Sequence, residues 1–81
     1  MKLTYDPKNN IAYLKLHEKS GNQEVETIRL SDEMNVDIAP DGTVYGIELL
    51  NANEQFHAED GGKFIVVNES LGKQQEVNFA Q

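Results

Sequence analysis

Asp37 and Glu48 are the residues of this 81-residue chain best placed by type to do chemistry, because each carboxylate interrupts an apolar, strand-like run. Paired carboxylates on neighbouring strands can divide general acid and base work, or hold a cation. His17 and His57 form a second pair that could ligate a metal or shuttle a proton. They stand forty residues apart, however, and neither lies in an H-x-x-x-H or H-E-x-x-H pattern. Each pair also has a plainer explanation. Alternation on a one-sided sheet puts a carboxylate on the solvent face without any function. An imidazole at the end of an element, beside Glu18 or Glu59, is simply solvated. No third partner is visible for Asp37 and Glu48, so the plainer explanation is preferred. A small acidic enzyme or metal-binding domain using Asp37 and Glu48 is the alternative.

Other chemistries lack their residues. The chain has no cysteine, which removes disulfides, thiol nucleophiles and Cys-type zinc or redox sites. Its serines and threonines have no G-x-S-x-G context. Asp41-Gly42 lies between Ala39-Pro40 and Thr43-Val44, so it is not part of a D-x-D-x-D-G calcium loop. Gly61-Gly62 stops a helix and cradles no phosphate. Asp6, Asp32 and Asp41 fall at turns whose backbone their side chains can bond. Tyr5, Tyr13, Tyr45, Phe56, Phe64 and Phe79 could line a ligand groove, but in a thin β core they are expected to be simply the packing. The expectation is a non-enzymatic protein with no catalytic residue, metal ligand or cofactor.

Charge narrows the partners. Fourteen Asp and Glu against seven Lys and Arg give a net charge of −7. That opposes binding to nucleic acid, whose affinity for proteins comes largely from phosphate neutralisation. A small basic protein is electrostatically easier, and solubility alone explains the acidity most simply. Met1-Lys2-Leu3 leads straight into a strand, and no 18-residue apolar stretch follows. A cytoplasmic protein without membrane contact is expected.

The elements that must position these residues are mostly strands. Residues 2–5 alternate, Asp6-Pro7 and Asn9-Asn10 make a turn, and residues 11–17 resume the alternation, which predicts a hairpin. Residues 18–24 are a polar loop. Residues 25–30 predict a third strand near an edge, and residues 34–39 a fourth. Pro40-Asp41-Gly42 fits a type I turn with glycine in the left-handed position. Residues 43–50 are apolar at both parities, as suits a central strand. The register of this last hairpin stays open. A two-residue loop sets Val36 and Ile38 beside Tyr45, Ile47 and Leu49; a glycine bulge sets them beside Val44 and Gly46. Asn51 with Glu54 three positions on predicts a helix start, continuing through Ala58 and ending at Gly61-Gly62. Residues 63–68 and 76–80 predict a C-terminal hairpin.

The fold class is therefore mainly β, on the margin of α+β: one domain with an antiparallel meander sheet, a short helix and a C-terminal β-hairpin. A chain of this size hides only ~60–65% of its unfolded surface, so its core is thin and association with a second subunit is expected. Phe64, Ile65, Val66 and Val67 are the candidate interface. They send two apolar side chains to each face, and the remaining elements should cover one face only. The other is expected to meet a second copy in a homodimer, or a different partner.

Two segments carry a family resemblance: L-T-Y-D-P-K-N-N-I-A-Y-L-K-L, and N-V-D-I-A-P-D-G-T-V-Y-G-I-E-L-L-N-A. Together they resemble the YuzE-like family of small prokaryotic domains of unknown function. The likeness covers residues 1–52 and rests on Asp6-Pro7, Asp37, Gly42, Gly46, Ile47 and Glu48. It leaves residues 53–62, a helix and turn, and 63–80, the hairpin, as less family-typical additions. At Ala39-Pro40 the chain departs from the family's more acidic turn. The resemblance implies no catalytic or binding residues. It implies an antitoxin-like role, because some members are encoded beside small proteins of toxin type.

Overall fold

The structure, a computed structural model, describes residues 1–19, 21–57 and 61–79. Ser20 in the polar loop, Ala58 at the expected helix end, Glu59 and Ala80 lie outside the described residues.

Local turn chemistry builds the first hairpin. β1 (Lys2–Asp6) and β2 (Ile11–Lys15) pair antiparallel. Between them, Asp6 Oδ1 accepts from the backbone N–H groups of Lys8 and Asn9 at 3.1 and 3.2 Å. Asn9 Nδ2 donates to Asp6 Oδ2 at 2.7 Å, and Asn10 takes φ 58°, a left-handed value asparagine tolerates. β3 (Glu26–Ser31), β4 (Met34–Ile38) and β5 (Val44–Leu50) follow as two more hairpins. The turn before β5 closes as expected: Gly42 N–H donates to Ala39 O at 3.0 Å, with φ 93° at Gly42.

The sheet is antiparallel throughout and mainly β with one short helix, as expected, but its strand order is not a meander. The order is β1-β2-β5-β4-β3. β5 lies between β2 and β4, and β3 forms the far edge. A connection from β2 to the edge must cross three strand spacings, about 14 Å. The polar loop before β3 is long enough for this, since ten extended residues reach roughly 33 Å. The central position then falls to the strand with apolar or small residues at both parities.

Both registers considered for the last hairpin occur, one on each side of a bulge. Val36 pairs with Ile47 and Met34 with Leu49, whereas Ile38 pairs with Val44. The shift between Asp37 and Ile38 leaves Tyr45 as the extra residue.

These pairings give the sheet two unlike faces. One carries the rows Leu3–Leu14–Ile47–Val36–Ile28 and Tyr5–Ala12–Leu49–Met34. The other carries Thr4–Tyr13–Glu48–Asn35–Arg29 and Lys15–Gly46–Asp37–Thr27.

Helix α1 (Ala52–His57) docks at one end of the apolar face. Asn51 is not its side-chain cap: it adopts φ 59°. The cap comes instead from the first turn, where Asn10 Oδ1 accepts from Asn53 N–H at 2.7 Å. Ala52 is fully buried. Phe56 packs on Tyr5 and Phe79, with ring centres 4.8 and 4.6 Å apart. β6 (Lys63–Asn68) and β7 (Lys73–Asn78) form a separate two-stranded sheet. Its base is tied down by Phe79, which donates its N–H to Gly62 O at 2.6 Å and meets Phe64 at 5.9 Å.

The core is thin. Among the described residues, the buried apolar side chains are Ala12, Ala39, Tyr45 and Ala52, and no large side chain is fully buried. The accessible surface is 6112 Å², against about 4,900 Å² for a compact monomer of 9.1 kDa. The radius of gyration, 14.5 Å, likewise exceeds the roughly 12 Å of a compact chain this long.

Candidate functional site

The polar face brings Asp37 and Glu48 together with a third residue, Tyr13. Tyr13 sits opposite Glu48 in the β2–β5 ladder. Its ring crosses the backbone of Gly46, where a Cβ would overlap the Tyr13 hydroxyl and ring carbons. The hydroxyl thereby reaches the strand beyond and donates to Asp37 Oδ2 at 2.7 Å. Thr27 Oγ1 donates to the other oxygen of Asp37, also at 2.7 Å. Glu48 accepts from Asn35 Nδ2 at 2.9 Å, and the Asn35 Oδ1 is buried without a hydrogen-bond partner. Asp37 and Glu48 are both half-buried and not, as expected, simply on an exposed face.

Electrostatics make this network a proton-holding one. Burial, first, and then the hydrogen bond to Asp37 push the Tyr13 hydroxyl up from 10.0 to about 12, with the charges of Asp37 and Glu48 adding to the effect. Tyr13 is thus a neutral donor at ordinary pH. Both oxygens of Asp37 are taken by hydroxyl donors from the same sheet, which suits a cross-strand tie.

The histidines do not join this network. His17 donates from Nδ1 to Val44 O at 3.0 Å and sets its ring edge-on to Tyr45 at 5.9 Å. His57 ends α1, exposed. Among the described residues, no group of three His, Asp or Glu side chains could hold a metal ion. A cleft of about 200 Å³ is lined by Tyr13, Lys15, His17 and Tyr45, among others. A larger one, about 410 Å³, lies between Glu24, Val25, Glu26 and the chain at Ile38, Ala39 and Pro40. Neither is lined by Asp37 or Glu48. Among the described residues, no helix is long and apolar enough to cross a membrane.

The candidate interface is more open than expected. Phe64, Ile65, Val66 and Val67 are 41%, 43%, 53% and 54% exposed. The β6–β7 register puts Phe64, Val66 and Val77 on one face and Ile65 and Val67 on the other. One face was expected to be covered; both are open, because the arm touches the rest of the fold chiefly at its base, through Phe64 and Phe79. The sheet adds a second, partly open apolar surface. Its row Leu3–Leu14–Ile47–Val36 is only half-buried, and Ile28 is exposed.

Reading the residues in order misses two parts of this arrangement, the Tyr13–Asp37 tie and the half-buried apolar sheet face. A signal for the first was present: glycine inside a strand often marks a close approach by another group, and Gly46 is such a residue.

No curated protein and no solved structure matches the chain. Residues 2–53 match the family described as protein of unknown function (DUF2283), which is the stretch holding the five-stranded sheet and the start of α1. With most of its length in that match, including Tyr13, Asp37, Gly46 and Glu48, the chain belongs to the DUF2283 family.

Proposed function

We propose that this domain is a non-enzymatic module that works by protein–protein contact, with the β6–β7 arm as its principal contact segment. The carrying observation is the arm itself: Phe64, Ile65, Val66 and Val67 form a folded strand whose two faces both stay open. Flat, apolar, uncovered strands are aggregation hazards unless a partner covers them. The engagement of Asp37 with Tyr13 and Thr27 supports the same reading, since it gives the carboxylate a structural task.

The narrower YuzE-like affiliation and its antitoxin-like implication belong to this proposal. The resemblance over residues 1–52 coincides with the matched stretch 2–53. A net charge of −7 suits a small basic partner at the charged surfaces. The test is co-purification from the native cell with stoichiometric recovery. The unmodified protein should elute in a complex, with itself or with a second protein, and a Val66→Lys, Val67→Lys double variant should elute alone while keeping its circular dichroism. A protein that elutes as a free monomer whether or not the arm is altered would refute the proposal.

A further inference from the structure

The contact proposed above leaves its occupant open, and the surface areas and charges of this chain point to one. Resting on that contact reading, we infer that the first partner is a second copy: each arm lies on the apolar sheet face of the other subunit, about a two-fold axis.

Area supports this first. The chain exposes 6112 Å², about 1,200 Å² more than a compact monomer of its mass. A standard interface removes roughly 800 Å² from each partner. The surplus is therefore more than a standard dimer interface removes from each partner.

The chain also carries both halves of one contact. The sheet face is only half-buried along Leu3, Leu14, Ile47 and Val36, and exposed at Ile28. The arm lacks a platform beneath Phe64, Val66 and Val77. These halves do not meet within the chain, because Phe79 and Phe64 hold the base of the arm against Phe56 at the rim of that face. Reciprocal exchange covers the sheet face and the Phe64–Val66–Val77 face of the arm in both copies, as an isologous two-fold interface does, and leaves the Ile65–Val67 face open to solvent.

Charge then selects a second copy over a basic protein for this face. The two apolar rows of the sheet carry no charged side chain. Lys15, Asp37, Glu48 and Arg29 all stand on the opposite face. A basic partner would find no counter-charge on the apolar rows. Two copies, each at −7, would meet over those two rows with Asp37 and Glu48 turned away, Glu26 standing beyond them at the end of the face, in the row Glu26–Ile38–Val44.

The test is sedimentation equilibrium on the unmodified chain and on two variants. Val66→Lys alters the arm and Ile28→Lys the sheet face; both sites are exposed, 53% and 42%, so each variant should fold, as circular dichroism will verify. The unmodified chain is expected at twice 9.1 kDa and each variant at 9.1 kDa. Mixing the variants should restore a heterodimer, because the arm of the Ile28→Lys chain can still dock on the face of the Val66→Lys chain. That rescue distinguishes exchange from other dimers. A dimer lost with one variant alone, or lost with both and not rescued, overturns the exchange while leaving contact through a different pairing intact. An unmodified chain that stays monomeric at high micromolar concentration overturns the exchange as well. If it also recovers no partner from the native cell, the contact reading falls with it.

Discussion

Tyr13 bonds Asp37 at 2.7 Å across the bare backbone of Gly46, tying β2 to β4 over the strand that separates them. A side chain at position 46 would occupy the space of the phenol ring. The glycine and the tyrosine are thus one structural unit, and neither is informative alone.

Gly46→Ala should therefore destabilise the fold by about 2–3 kcal/mol, combining overpacking with loss of one part-buried hydrogen bond. Urea unfolding of the single and double variants measures this. In a Tyr13→Ala background the same substitution should cost far less, because the space is then free. Costs that simply add, within about 0.5 kcal/mol, would show that the two positions are independent.

Tyr13 also predicts an alkaline transition. Its hydroxyl is raised from 10.0 to about 12, so the folded state holds that proton more tightly than the unfolded state. The stability this adds is complete below pH 10 and lost as pH rises through 12. Tyrosinate absorbance should show a late step near pH 12, and Tyr13→Phe should remove that step together with the fall in stability. A late step that survives in Tyr13→Phe belongs to another residue.

At the acid end the relevant group is Asp6. Its hydrogen bonds from the Asn9 side chain and backbone, with Lys8 N–H, hold its carboxyl below the usual carboxylate value of 3.8. The folded pKa is depressed, so this contribution is present above about 3.8 and lost as pH falls through the lower folded value. Carboxyl NMR titration should place Asp6 beneath the ordinary range, and Asn9→Ala should return it upward.

Asn10 carries two separable tasks, the left-handed φ of 58° and the cap on Asn53 N–H. Asn10→Gly keeps the first and removes the second, at a cost of a few tenths to about 1 kcal/mol. Asn10→Ala adds the left-handed strain and should cost roughly 1–2 kcal/mol more. Hydrogen exchange at Asn53 should accelerate in both. Unchanged protection there would mean that the helix is held by its other contacts, the packing of Phe56 and Ala52 and the hydrogen bonds of the Asn53 and Gln55 side chains.

What could be read from the chain was local. Asp6-Pro7 and Pro40-Asp41-Gly42 announce their turns because the bonding groups lie within three residues of each other. Alternation and short apolar runs likewise signal each of the seven described strands, and the lower apolar content of residues 25–30 marks β3 as an edge. What could not be read depends on pairs far apart in sequence. Asp37 meets Tyr13 at a separation of 24 residues, and Asn10 caps a helix 43 residues away. The end of the arm was legible only in part: β7 begins at Lys73, not at residue 76, because Gln74 and Gln75 pair with Val67 and Val66. Nothing in a run of glutamines marks them as strand; only the partner across the ladder does.

The place of β5 has a consequence for how the chain acquires its shape during synthesis. The ribosome makes the middle strand of the sheet last. Until Val44–Leu50 has emerged, β1–β2 and β3–β4 are two isolated hairpins, each marginal in water. No partial sheet can accumulate stepwise from the N-terminus. One seven-residue strand converts both hairpins into a sheet at once. A lesion in that strand should therefore abolish the whole sheet and not only its own part of it.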